Sequence, residues 1–460
     1  MGAKFALVHP IGVASMPDVR RFDRIIQPAS AFLGAVVAGL LLMAPLDLGW
    51  SNEGPLELDL LVLNMPRAAA AGAMFAVIAA ALAVALGRRT AWIVSFGSAA
   101  VLVADHLWNL NNALTGTLIT VNYIDSIFGG ILLGALAVAV FGKPLATAAY
   151  LIGALSSIMI GDLTSLPSPG GQSRTLIEWA STGTPPIWLV LATTVALGAA
   201  VLMQRAEPVA EDAEDESADL PIGPILAALL LVVATSVATE WFVRHAGTPA
   251  QAAIALSIIV GAAVLAALLL PGRDGAVVLL VVAVTNAGSA IIAVPRPDWS
   301  APIPFIAVAI GYLAGRRWSV PWAGFAGTAV LSVFAALTES TGRADSVIPI
   351  IGIVGLGLLM GYCFAGPSAQ GAPSTVVALA ALVVPCLVVA LRGSSFGRVA
   401  YSPRWYRDPT SVTSAGPGWA ALAVTLGCAA GVLLLYRMRP VRTAPAHLPN
   451  RALTQLSASA

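Results

Sequence analysis

Apolar runs long enough to cross a bilayer recur along nearly the whole of this chain, and that recurrence fixes its solvent. A bilayer core of about 30 Å needs roughly 20 apolar helical residues to span it. Inside hydrocarbon the backbone must satisfy its own hydrogen bonds, so such runs fold as helices. Runs of this kind lie near 30–48, 67–86, 91–110, 123–142, 144–162 and 186–203. Others follow near 222–241, 250–270, 275–293, 301–316, 319–338, 346–365, 373–391 and 417–436. The reading is an all-α polytopic membrane protein of about 14 spans.

Composition agrees. Of 460 residues 58% are hydrophobic and only 10% charged, where a soluble chain carries about a quarter charged residues. A net charge of +1 provides no field for nucleic acid, so membrane lipids are the expected surroundings. Cys363, Cys386 and Cys428 lie far apart in apolar runs and read as packed thiols, not as ligands or disulfides. No cofactor motif occurs, and no Gly-x-x-x-x-Gly-Lys-Ser/Thr loop offers a nucleotide site. The basic residues are almost all arginine, a bias that matches a GC-rich bacterial genome. No short apolar stretch with a cleavage site precedes the first span, so a removable leader is not expected.

Lys and Arg collect on the cytoplasmic side of short loops. With both ends of the chain inside and 14 alternating spans, 15 basic residues fall inside and 9 outside. The paired arginines Arg88–Arg89 and Arg316–Arg317 both fall inside. The expected location is therefore a plasma membrane, with cytoplasmic termini. The acidic stretch 204–221, with Glu207, Glu211, Asp212, Glu214, Asp215, Glu216 and Asp219, cannot bury enough apolar surface to fold and reads as a linker. It yields the division 1–29 cytoplasmic segment, 30–203 first six-helix bundle, 204–221 linker and 222–365 second six-helix bundle. After these come 366–436, two additional helices with an extracytoplasmic loop at 392–416, and a cytoplasmic tail at 437–460. Weak internal similarity supports duplicated halves: "ALGRRTAW" at 85–92 against "LPGRDGAV" at 270–277, and 141–165 against 314–340.

Six helices, an acidic linker and six more, with Gly87-Arg88-Arg89 between the second and third spans, resemble the major facilitator superfamily. That family carries Gly-x-x-x-Asp-Arg-x-Gly-Arg-Arg at this turn. Here Val84 and Ala85 stand where the Asp-Arg pair would be. The resemblance implies secondary active transport of a small-molecule or lipid-like substrate by alternating access, no enzymatic activity, and a gating role for Arg88 and Arg89.

Ionisable and amide groups in hydrocarbon are expensive and mark function by default. Asp105, Asn109 and Asn112 fall at i, i+4 and i+7, on one helix face. Together with Asp125 and Asn286 they are the candidate substrate- or proton-binding residues of a vestibule opening outward. A carboxylate there would take up a proton when open to the acidic side and link transport to the proton gradient. The competing reading makes them helix ends and structural pairs. His106 has no second histidine, cysteine or acid at ligand spacing and reads as a packed ring sooner than a metal ligand. Gly130 and Gly134 form a Gly-xxx-Gly pair for close helix packing. The loop 392–416 interleaves Arg398, Arg404 and Arg407 with Tyr401, Trp405 and Tyr406, as an interfacial belt or an anion-binding surface would.

Two other functions fit the same residues. A non-catalytic subunit of a cell-envelope complex, with protein partners in the envelope, fits the sparse mid-membrane charge. A polyprenyl-dependent glycosyltransferase would use the acids of the first outer loop: Asp47, Glu53, Glu57 and Asp59.

Overall fold

The computed structural model describes residues 17–43, 55–111, 118–163, 185–206, 220–245, 248–291, 302–341, 347–365, 371–384, 386–392 and 416–440. Every element in them is a helix. These are α1 (Pro17–Met43), α2 (Pro55–Leu86), α3 (Arg88–Asn111), α4 (Leu118–Val140), α5 (Pro144–Leu163) and α6 (Ile187–Ala206). Next come α7 (Ile222–Arg244), α8 (Pro249–Leu269), α9 (Gly275–Ala290), α10 (Ile303–Arg317) and α11 (Pro321–Thr341). Last are α12 (Val347–Ala365), α13 (Ala372–Val383), α14 (Leu387–Arg392) and α15 (Gly416–Met438). Nine of the described helices are long and apolar enough to cross a membrane by themselves. The protein is an all-helical, multi-pass membrane protein.

Local chemistry sets the helix boundaries. Gly87, at φ 89°, takes the left-handed conformation that closes α2, and α3 begins at the next residue. Pro144, Pro249 and Pro321 each open a helix, where the missing N–H is harmless. Thr248 caps α8 in a reciprocal box: its Oγ1 accepts from the Gln251 amide at 3.3 Å while the Gln251 side chain accepts from the Thr248 amide at 2.9 Å. The span expected at 373–391 is interrupted between Val383 and Leu387, where Val384 turns extended; Pro385 lies outside the described residues. The acidic residues 207–219 of the linker and the loop residues 393–415 also lie outside them.

Which helices touch shows how the chain is organised. In the first set, α1 packs on α4, α5 and α6, α2 on α4, and α3 on α4 and α6. The same pattern returns in the second half of the chain, shifted by eight helices. There α9 packs on α12, α13, α14 and α15, α10 on α12, and α11 on α12 and α15. Substituting α1 by α9, α2 by α10, α3 by α11, α4 by α12, α5 by the broken pair α13–α14, and α6 by α15 reproduces these pairs, while the packing of α9 on α11, and that of α2 on α1 and α3, have no comparable match in the other set. The contacts between the halves obey the same exchange: α2 meets α13 as α10 meets α5, and α4 meets α13 as α12 meets α5. Most pairings of the first set thus have a counterpart in the second. The helices α7 and α8 have no counterpart. They pack on each other, α7 against α2, α13 and α14, and α8 against α9, α14 and α15. The two helices that directly follow the acidic linker thus pair with each other.

Small residues make the tightest seams. A Cβ placed on Gly130 or Gly134 would run into the backbone carbonyls of Gly72 and Ala76, so α2 and α4 touch through their main chains. In the counterpart seam, a Cβ on Gly311 or Gly361 would strike the carbonyls of Leu358 and Val308. Backbone approach of this kind lets helices associate in lipid without an apolar driving force. The Gly-xxx-Gly pair of α4 has its match in Gly357 and Gly361 of α12, at the same spacing.

Candidate functional site

The most polar buried spot in the first half lies where the end of α3 passes the start of α4. Asp105 and His106 come from α3 and Asp125 from α4. One ligand atom from each of the three lies within 4.8 Å of the others. Asp125 and His106 are buried and Asp105 is partly so. The His106 Nδ1 lies 2.9 Å from the Leu102 carbonyl. A carbonyl only accepts, so the proton of the neutral ring sits on Nδ1 and the lone pair on Nε2.

Asp125 is fully enclosed, and among the described residues neither of its carboxylate oxygens meets a hydrogen-bond donor. Asn122, three residues earlier and so on the same face of α4, is also fully enclosed, with neither amide atom paired among the described residues. A buried polar group normally has a partner, and a carboxylate buried without one is more expensive still. Two such groups one turn apart make this spot the candidate site.

The sequence-based candidates divide. Asp105 and Asp125 are brought together. Asn109 lies on α3, one turn beyond Asp105, but its side chain is outside the described residues, and Asn112 lies outside them altogether. Asn286 sits on α9, whose principal neighbours are α8, α11, α12, α13 and α15. Its Nδ2 donates to the Val282 carbonyl at 2.8 Å, which leaves Oδ1 buried without a donor among the described residues. His106 and Asn122 were missed. His106 was set aside because its acid partner comes from the next helix, and the one cue to Asn122 was its place three residues before Asp125.

The turn after α2 is built as a tether. Arg88 Nε donates to the Ala139 carbonyl in the last turn of α4 at 2.7 Å, while Arg89 is exposed. A guanidinium at a helix C-terminus meets both an unsatisfied carbonyl and the negative end of the helix dipole. The counterpart turn, residues 318–320 between α10 and α11, follows a Gly-Arg-Arg triplet, Gly315-Arg316-Arg317, that forms the last turn of α10 itself. There the tether is Tyr362 of α12. Its hydroxyl accepts from the Val320 amide at 3.1 Å and lies 2.7 Å from the Trp318 carbonyl. Equivalent turns are thus tied to equivalent helices, α4 and α12, by different side chains.

No protein-family model matches the chain, and no curated protein matches it. Among solved structures it is similar to the in meso crystal structure of PepTSo, a POT family transporter. The TM-score is 0.46 at 12% sequence identity, with 91% of this chain and 99% of that chain covered.

Proposed function

We propose that this protein is a secondary active transporter that moves a small-molecule or lipid-like substrate by alternating access, in the manner of the major facilitator superfamily. One observation carries the reading. Most helix pairings among α1–α6 recur among α9–α15, and the principal contacts between the two sets follow the same exchange. Two like bundles meeting in this way can rock about a site between them, exposing it first to one side and then to the other. Tethers at the equivalent turns, Arg88 to α4 and Tyr362 to α12, keep each half rigid as it moves.

In this reading the second bundle is 275–438, and α7–α8 form a pair inserted between the halves. The energy comes from a cation gradient, the proton being the simplest carrier, and the Asp105–Asp125 cluster is where positive charge is taken up. The termini face the cytoplasm.

The test is a distance measurement across one face. Spin labels at Arg89→Cys and Arg317→Cys report on the two equivalent turns, and the native cysteines are buried. In proteoliposomes, two distance populations that exchange weight when a cation gradient is imposed are expected. One narrow population that no gradient shifts would sink the reading and favour a static subunit of an envelope complex.

A further inference from the structure

The cluster between α3 and α4 has more structure than proton uptake needs. It offers two carboxylates and an imidazole, with their ligand atoms within 4.8 Å of one another. The hydrogen bond from Nδ1 to the Leu102 carbonyl fixes the ring with Nε2 as the lone-pair nitrogen, the outer-shell arrangement found around metal-bound histidines. Asp125 is fully enclosed and its oxygens have no donor among the described residues. Asn122, on the same face of α4, has a carbonyl oxygen in the same condition and could complete the set.

From this we infer that Asp105, His106 and Asp125 form a binding site for a divalent transition-metal ion of the zinc class. Three features select the ion. Two carboxylates neutralise a 2+ charge, which is what a site inside a membrane requires. The imidazole favours a transition ion over magnesium or calcium, which prefer all-oxygen shells. Three protein ligands leave a position open for water, Asn122 or a transported ligand. Zinc bonds carboxylate oxygen and imidazole nitrogen at about 2.0–2.2 Å, so two of its ligands stand at most about 4.4 Å apart. A separation of up to 4.8 Å closes to that by a small side-chain rotation. The inference does not depend on transport, since the ion binds whether or not the halves move.

The experiment is a zinc titration of the full-length chain in detergent micelles after chelator treatment, read by calorimetry and by metal content per chain. Wild type is expected to take one Zn2+. Asp125→Asn and His106→Gln are expected to weaken it at least about tenfold, the lower end of what removing even an outer partner of a metal ligand does. Because Asp125 is deeply buried, its variant has to keep the wild-type helical content and elution volume to count. If it does not fold, the His106→Gln variant decides alone, with X-ray absorption on the zinc-loaded wild type showing imidazole scattering that the variant loses. Equal zinc binding by wild type and His106→Gln would place the ion elsewhere. No saturable zinc, with magnesium and zinc indistinguishable, would mean that the cluster takes up protons only. Either result overturns the site while leaving the distance test of transport untouched.

Discussion

Arg273 and Arg439 each hold the end of the other's helix. Arg273 donates from Nε and Nη2 to the Arg439 carbonyl at 3.3 and 3.2 Å, with its guanidinium 4.5 Å from the Tyr436 ring centre. Arg439 returns the contact, donating to the carbonyls of Leu268 and Gly272 at 2.7 Å each and to that of Leu270. The end of α8 is thereby locked to the end of α15. Arg439→Ala leaves three carbonyls without this donor and should lower stability by about 2 kcal/mol, the usual worth of charged hydrogen bonds. Arg439→Lys should recover only part of it, because one ammonium cannot span three acceptors as a guanidinium fork does. Thermal unfolding in micelles reads both.

The glycine seams predict a sharp positional contrast. Gly130→Leu and Gly361→Leu each drive a side chain into a facing backbone, which cannot yield as a side chain would. Overpacking typically costs about 1–3 kcal/mol and more where the neighbour is rigid. Gly97→Leu, on the exposed side of α3 with nothing within 4 Å, should be tolerated. Size-exclusion profiles of the three variants check this. Equal behaviour at Gly97 and Gly130 would contradict the main-chain contact between α2 and α4.

Arg88→Ala and Tyr362→Phe should act alike, since each releases an equivalent turn from an equivalent helix. Tyr362 has one hydroxyl proton for two carbonyls, Trp318 at 2.7 Å and Val320 at 2.9 Å, so Phe forfeits one donated and one accepted bond. Each variant should lose about 1 kcal/mol and broaden the distance distribution between labels on the two turns. A narrow, unchanged distribution in both would show that the tethers are incidental to rigidity.

Arg67 of α2 and Glu240 of α7 form an ion pair at 3.1 Å, with 43% and 25% of their side chains exposed. So open a pair should contribute less than about 1 kcal/mol. A double-mutant cycle with Arg67→Gln and Glu240→Gln measures it. The inserted pair should therefore stay docked on α2 when the ion pair is removed, held by apolar packing.

Much of the fold was legible because lipid imposes a blunt requirement. Every described helix coincides with a run long enough in apolar residues to be read, and Gly87 stood between the second and third spans as it does between α2 and α3. Which helix packs on which was not legible in hydropathy, because apolar length carries no pairing information. The acids were legible as candidates, yet their meeting was not. Asp105 and Asp125 stand twenty positions apart, and only the packing of α4 on α3 turns that separation into contact.

The pair α7–α8 has a consequence for direction. A chain that crosses a sheet of lipid reverses its sense at each passage, so a single added crossing would have turned every later helix upside down. Two crossings cancel. On the proposed reading, with α7 and α8 in place, α9 enters from the same face as α1, and two halves of this kind stay related by rotation, without inversion. In parity terms the insertion is silent. Such a hairpin can be gained or lost whole without disturbing the sidedness of anything after it, whereas one helix never could.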